Sequence, residues 1–218
     1  MNNREIHQVV RILRREVPKW NTPIVTLMAE TYRSPFRVLI SCILSLRTQD
    51  ATTARASHRL FAVAASPNAM LKLTAKKIER LIYPVGFYKT KAKNILEICA
   101  TMIQRYGGNV PDEIEELLKL KGVGRKTANL VVTLGYQKPG ICVDTHVHRI
   151  SNRWGYVKTK TPEKTESALR EKLPHSYWIE YNDLLVSFGQ HLCRPISPVC
   201  SQCPVARYCD RIGVTMRR

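Results

Sequence analysis

The 218-residue sequence predicts an all-α protein. Apolar residues recur with the period of a helix along most of it, as with Ile6, Val9, Val10, Leu13 and Val17. Residue types that cap helices, among them Ser34, Thr74 and Thr90, stand directly before such stretches. No stretch sustains the two-residue alternation of a half-buried strand, and the connections are short.

Taken in order, the first helix closes at Pro18, which has no amide hydrogen to continue it. Ser34 followed by Pro35 reads as the N-cap and first position of an apolar helix running to about Leu46. Asp50 is expected to cap the next helix, which reaches about Val63. Thr74 caps a short one, and Thr90 opens a long one that ends at Gly107 and Gly108. Further helices are expected near residues 112–120, 125–135, 145–154, 163–173 and 179–192. There is no internal repeat or low-complexity tract. A proline-containing segment from Trp20 to Pro23 and a turn from Gln137 to Gly140 are the expected boundaries. They leave the N-terminal helix free to pack beside the C-terminal segment.

Hydrophobic content of 44% and charged content of 24% describe an ordinary globular chain, but the formal net charge of +18 does not. Lys and Arg number 35 against 17 Asp and Glu, an excess that points to a polyanionic partner, nucleic acid first. The opening residues are polar, with no apolar core of a signal peptide after them. The longest apolar stretch, Val38 to Leu44, is interrupted by Ser41 and too short to span a bilayer. The expectation is a cytoplasmic, chromosome-associated protein without a membrane partner.

Cys193, Cys200, Cys203 and Cys209 lie near the C-terminus, separated by six, two and five residues. Four thiolates in one contiguous segment can wrap a compact metal centre, and soft sulfur donors in fours suit tetrahedral zinc or an iron–sulfur cluster. Spacing alone leaves both open. Cys42, Cys99 and Cys142 are scattered among apolar residues and read as reduced core thiols.

The run Leu118, Lys119, Leu120, Lys121, Gly122, Val123, Gly124, Arg125, Lys126, Thr127 joins two amphipathic stretches. Two glycines in a tight turn let backbone amides face outward, at the positive end of the following helix, where a phosphate oxygen binds well. A helix–hairpin–helix of this kind grips a nucleic-acid backbone without reading its sequence. A nucleotide-binding P-loop is excluded, because Arg125 stands where that motif needs a glycine before its lysine. Lys126 falls in the first helical turn, where the helix dipole opposes a cation. That conflict favours a neutral amine, a nucleophile able to form Schiff bases. A second motif, Val143, Asp144, Thr145, His146, Val147, His148, Arg149, places Asp144 at a helix start. The two histidines do not indicate a metal-dependent hydrolase barrel, since the alternating strands of that fold are missing.

With these motifs in order, the chain resembles the endonuclease III family, helix–hairpin–helix DNA glycosylases that carry an iron–sulfur cluster. The cysteine spacing, the hairpin from Gly122 to Ala128, Val143-Asp144-Thr145-His146, and Gly86-Phe87-Tyr88 followed by Lys91-Ala92 carry the resemblance over nearly the whole chain. It implies a two-domain all-α fold: a six-helix barrel over 24–137, ending in the hairpin, and a cluster domain built from 1–23 and 138–218. It further implies a [4Fe–4S] cluster on the four cysteines, Lys126 as nucleophile and Asp144 as catalytic carboxylate. DNA contacts are implied for Lys121, Gly122, Val123, Gly124, Arg125, Thr127, Arg47, Gln49, Phe87 and His146. The implied activity is that of a monomeric bifunctional glycosylase and abasic-site lyase, acting on double-stranded DNA with a damaged pyrimidine or an abasic site.

The sequence departs from the family pattern at three places. Lys121 stands where the hairpin usually has proline. Arg47 stands where many members carry a glutamine that fills the space left by the flipped base. The segment between Cys193 and Cys200 has one basic residue, Arg194, where several are common. Two alternatives stand beside this reading: a sibling glycosylase for mismatched thymine or uracil, and a non-catalytic DNA-binding iron–sulfur module. Lys126 and Asp144 together favour the bifunctional pyrimidine enzyme.

Overall fold

The structure is a computed structural model that describes residues 1–20, 24–32 and 34–218, with backbone alone at positions 24, 28, 30 and 32. Among the described residues there is no strand, as the fold class requires. None of their helices is long and apolar enough to cross a membrane. The chain divides into two compact units. One is Ile24–Lys138; the other joins Met1–Pro23 to Pro139–Arg218. Of the boundary segment Trp20 to Pro23, positions 21–23 lie outside the described residues.

The unit Ile24–Lys138 contains α2 (Ile24–Tyr32), α3 (Pro35–Ser45), α4 (Asp50–Val63), α5 (Pro67–Leu71), α6 (Ala75–Ile82), α7 (Tyr88–Tyr106), α8 (Ile114–Leu117) and α9 (Arg125–Leu130). Its centre is α3, buried continuously from Val38 to Leu44 and packed against α2, α4, α7 and α9. A helix apolar on every side has to be enclosed, and α3 is. It starts as expected: the Ser34 hydroxyl accepts from the Arg37 amide at 3.4 Å, with Pro35 in the first turn. Ser66 and Pro67 repeat that start at α5, a helix too short to show periodicity. The expected helices do not include α5 or α2.

Three expected starts and ends shift. Gln49, not Asp50, is the N-cap residue of α4; Asp50 is its first helical residue, where a carboxylate suits the dipole. Helix α7 begins at Tyr88 rather than Thr90, because Phe87 reverses the chain at φ 57°. Helix α8 covers only part of 112–120: beyond Leu117 the bonds tighten to three-residue spacing, Leu120 N–H to Leu117 O and Val123 N–H to Leu120 O, both 3.1 Å. After Leu130, α9 widens into a π-helical turn, Val131–Gly135, in which the Thr133 hydroxyl donates to Asn129 O at 2.8 Å. Gly135 lies against Pro35; a Cβ there would stand 3.2 Å from the Pro35 Cα.

The other unit is built from α1 (Asn3–Glu16), α10 (Thr145–Arg153), α11 (Pro162–Lys172) and α12 (Tyr181–His191). Asn2 and Glu5 cap α1 reciprocally, through Asn2 Oδ1 from the Glu5 amide and Glu5 Oε2 from the Asn2 amide. The buried face of α1 (Ile6, Val9, Val10, Leu13) joins Val147, Ile150, Trp154, Leu185 and Phe188 in one core. Each such side chain contributes about 1.5–3 kcal/mol of burial. Beyond α12 the chain continues in short 3-10 turns at Cys200–Gln202 and Ala206–Tyr208. Cys193, Cys203 and Cys209 pack on the same core.

Candidate functional site

In the unit Ile24–Lys138 the hairpin has the expected form. Gly122 adopts φ 74°, a conformation that calls for glycine, and a Cβ on it would stand 3.0 Å from Asn94 Nδ2 of α7. Gly124 is the N-cap of α9 with φ −100° and ψ 176°, and no side chain caps that helix. Gly124 itself thus offers no side chain to cap the first turn of α9, at an exposed, glycine-lined turn. Lys121, Arg125 and Lys126 are exposed around it, with Arg125 3.8 Å from Glu115. Val123 and Thr127 are buried, so their side chains shape the turn from beneath and only their backbone is left to meet a ligand. Lys126 lies close enough to α3 to act on Cys42: burial pushes the Cys42 thiol up to about 12, and the nearby Lys126 charge opposes that rise.

The end of α3 and the start of α7 form a second feature of the same unit. Arg47 and Phe87 both take left-handed backbone conformations, φ 52° and 57°, and the Arg47 guanidinium stands 5.6 Å from the Phe87 ring centroid. Phe87 is 63% exposed, which removes ordinary core packing as its role. Gln49 is exposed nearby in sequence, at the start of α4. Behind the pair lies Lys91, only 6% exposed. Its Nζ donates to Leu44 O at 2.9 Å, Leu46 O at 2.5 Å and Thr48 Oγ1 at 3.3 Å. Burial lowers the Lys91 amine to about 8. In the sequence Lys91 stands out only as part of a motif. The available signal was its register: it stands in the buried stripe of α7 with Ala92, Ile95, Ile98 and Met102. An open pocket lined by Arg47, Phe87, Lys91, Asn94 and Gly122 among others joins this feature to the hairpin.

In the other unit, Asp144 is the N-cap of α10: its Oδ1 accepts from the amides of His146 at 2.8 Å and Val147 at 2.9 Å. Asp144 is half-buried. His146 Nδ1 lies 3.1 Å from Arg149 Nη2, and a Cβ on Gly189 of α12 would come within 2.3 Å of that nitrogen. The His146 ring is therefore packed on α12.

Cys193, Cys200, Cys203 and Cys209 line one cavity together with Trp154, Phe188, Leu192 and Val199. None of the seven cysteines is in a disulfide; Cys42, Cys99 and Cys142 are buried, as core thiols should be. Burial pushes the Cys203 thiol up to about 11, and Cys193, Cys209 and Cys200 raise it further. The Arg211 amide donates to Cys209 Sγ at 3.3 Å, and Arg153 Nη1 approaches Cys193 Sγ at 3.6 Å. Among the described residues no three His, Cys, Asp or Glu side chains are gathered as ligands of one metal ion.

Comparison with known proteins gives a consistent result. Residues 40–175 match the family described as HhH-GPD superfamily base excision DNA repair protein. Endonuclease III of Thermotoga maritima is 50% identical over 81% of this chain and 83% of its own length. The chloroplastic endonuclease III homolog 1 of Arabidopsis thaliana is 42% identical over 80% of the chain, which spans about half (48%) of that longer relative. Among solved structures, a trapped endonuclease III–DNA covalent intermediate matches with a TM-score of 0.85 and 32% identity, over 97% of each chain.

Proposed function

Since this chain belongs to the endonuclease III family of the HhH-GPD superfamily, we propose that Lys126 is its nucleophile and oxidised pyrimidines its substrates. It is a base excision repair protein with DNA glycosylase and abasic-site lyase activity. The observation that carries the assignment is an exposed lysine in the first turn of α9, beside an exposed glycine hairpin. The hairpin binds the phosphate backbone through its amides, Lys121 and Arg125, and so brings a deoxyribose to Lys126.

The damaged base is attacked after it leaves the stack, and the void is taken by Arg47 and Phe87. The Lys126 amine, once it has given up a proton, adds to C1′; the C1′–N bond breaks, and the base departs with its electron pair and takes up a proton. Loss of the amine protons and opening of the sugar ring give an imine between Nζ and C1′. The imine acidifies C2′, a proton leaves it, and the 3′ C–O bond breaks by β-elimination. Asp144 stabilises the positive charge that develops on the sugar and assists the proton transfers.

The four-cysteine cavity, with four soft thiol donors in one place, fits the [4Fe–4S] cluster of the family. Apolar walls and N–H···S donors also fit a cluster. Cys193, Cys200, Cys203 and Cys209 would hold it, and it would supply structural cross-links to a segment with little regular structure. The working protein is a monomer on double-stranded DNA, associated with the chromosome in the cytoplasm.

Borohydride trapping on a duplex with thymine glycol tests this reading. A covalent adduct that vanishes in Lys126→Gln is the expected result. Trapping only on an abasic duplex would keep the lyase and overturn the base specificity. No adduct on either, with DNA still bound, would leave a binding module.

A further inference from the structure

Helices α3 and α7 end differently. Helix α7 ends in the ordinary way, with Gly107 at φ 60° and the Gly108 amide closing on Met102 O at 2.9 Å. Helix α3 has no such glycine. Its chain leaves through Leu46 and places Arg47, a residue with a Cβ, at φ 52°. The last carbonyls of α3 are instead met from outside, by the Lys91 amine of α7. All three of its donors are used, on Leu44 O, Leu46 O and Thr48 Oγ1.

Thr48 carries the arrangement on to the second loop. Its Oγ1 accepts from the Gly86 amide at 3.1 Å. A Cβ on Gly86 would stand 2.5 Å from Arg47 O, so the two backbones touch there. Gly86 is followed by Phe87 in its own left-handed conformation. Two strained, exposed residues are thus over-determined by one buried amine and one hydroxyl. A lysine at a helix C-terminus is favoured by the dipole, whereas its enclosure is costly. Fold stability alone would be served by glycine at position 47.

We propose that Lys91 is a positioning residue: it pins the end of α3 and, through Thr48, the Gly86–Phe87 turn, so that Arg47 and Phe87 are presented to the DNA stack as one rigid wedge. This rests on the glycosylase reading above. Lys91 takes no part in the chemistry at the sugar. Its effect is on opening the duplex, and so disappears where no duplex has to be opened.

The test uses the whole chain, Lys91→Met and Thr48→Val, and two substrates: a single-stranded oligonucleotide with an abasic site and a duplex with the same site. In the duplex, 2-aminopurine opposite the site brightens as it unstacks. Lys91→Met is expected to trap the single strand within about twofold of the parent, to trap the duplex on the order of 30-fold more slowly, and to lose most of the brightening. Thr48→Val is expected to move the same way by less. Equal losses on both substrates, or full brightening in Lys91→Met, would overturn the proposal. Should Lys91→Met not fold, full brightening in Thr48→Val overturns it instead. A parent that traps neither substrate sinks the glycosylase reading, and this inference with it.

Discussion

Helices α9 and α10 start from nearly the same backbone conformation, φ −100° and ψ 176° at Gly124 against φ −107° and ψ −171° at Asp144. They differ in the side chain at that position. Asp144 closes its own helix, spending Oδ1 on the amides of His146 and Val147. Gly124 has no side chain to bring to the start of α9. One helix start is closed by its own N-cap side chain; the other has no side chain at that position, with Lys126 placed where the dipole least favours it. On the proposed function, the difference teaches that an N-terminus becomes a phosphate site by omission of the usual N-cap side chain, at a small loss of helix stability.

The strongest way to break the comparison is at Lys126. Lys126→Gln is expected to abolish the borohydride adduct and to lower base release by at least about 10³-fold, with duplex affinity changed only severalfold. Gel-shift and single-turnover assays on the same preparation check both halves. If affinity collapses along with chemistry, the open start is a binding device alone.

Asp144 is the next largest, because its two roles separate by substitution. Asn caps a helix about as well as Asp, whereas Ala costs roughly 1 kcal/mol. Asp144→Asn and Asp144→Ala should both lose at least about 10²-fold in adduct formation, if the carboxylate acts on the sugar. Only the Ala variant should also lose stability in urea. A fully active Asp144→Asn would leave Asp144 as a cap and nothing more.

Lys91 allows a comparison with Lys126 across the two ends of a helix, one amine buried at a C-terminus and the other exposed at an N-terminus. Burial holds the Lys91 amine at about 8, below its ordinary 10.5. Between those values the unfolded chain holds more protons than the folded one, so stability from this group rises with pH across that window and is lost as pH falls through about 8. Urea unfolding below pH 8 and above pH 10.5 should therefore show the parent gaining on Lys91→Met by something on the order of 1 kcal/mol. Parallel behaviour of the two proteins would mean that the three oxygen acceptors fully offset burial.

Legibility in the sequence divides along the same line, between local and assembled features. Ser34, Thr74, Gly107 and the glycines of the hairpin signal through backbone preferences that act locally, and their elements lie where expected. The grouping of the cysteines was legible for a similar reason, since all four sit in one stretch of chain and line one cavity. The α3 end was not. Leu44, Thr48, Gly86 and Lys91 meet only after α3 and α7 have packed, and no local rule marks Arg47 or Phe87 as left-handed. Asp50 misleads because a capping residue type also suits the first turn, where it in fact lies. The true length of α8 is hidden in the same way: residues 118–123 keep apolar spacing while their bonds tighten toward Gly122.

The smallest expected effect is also the most direct test of the difference between the two helix starts. Gly124→Ser should give α9 the cap that Asp144 gives α10. A Cβ at Gly124 would have nothing within 4 Å, and its φ lies in the ordinary extended range, so the substitution brings neither clash nor strain. The serine hydroxyl would then accept an amide of the first turn and stabilise the protein by a few tenths of a kcal/mol. The same bond takes that amide from a phosphate, so duplex affinity should fall by about threefold to tenfold, equally on damaged and undamaged DNA, while trapping at saturating duplex is unchanged. Gly124→Asp should lower affinity further, by adding a carboxylate where phosphate sits. A serine variant that gains stability and binds DNA as tightly as the parent would show that the open start of α9 has no part in holding the backbone, leaving that task to Lys121 and Arg125.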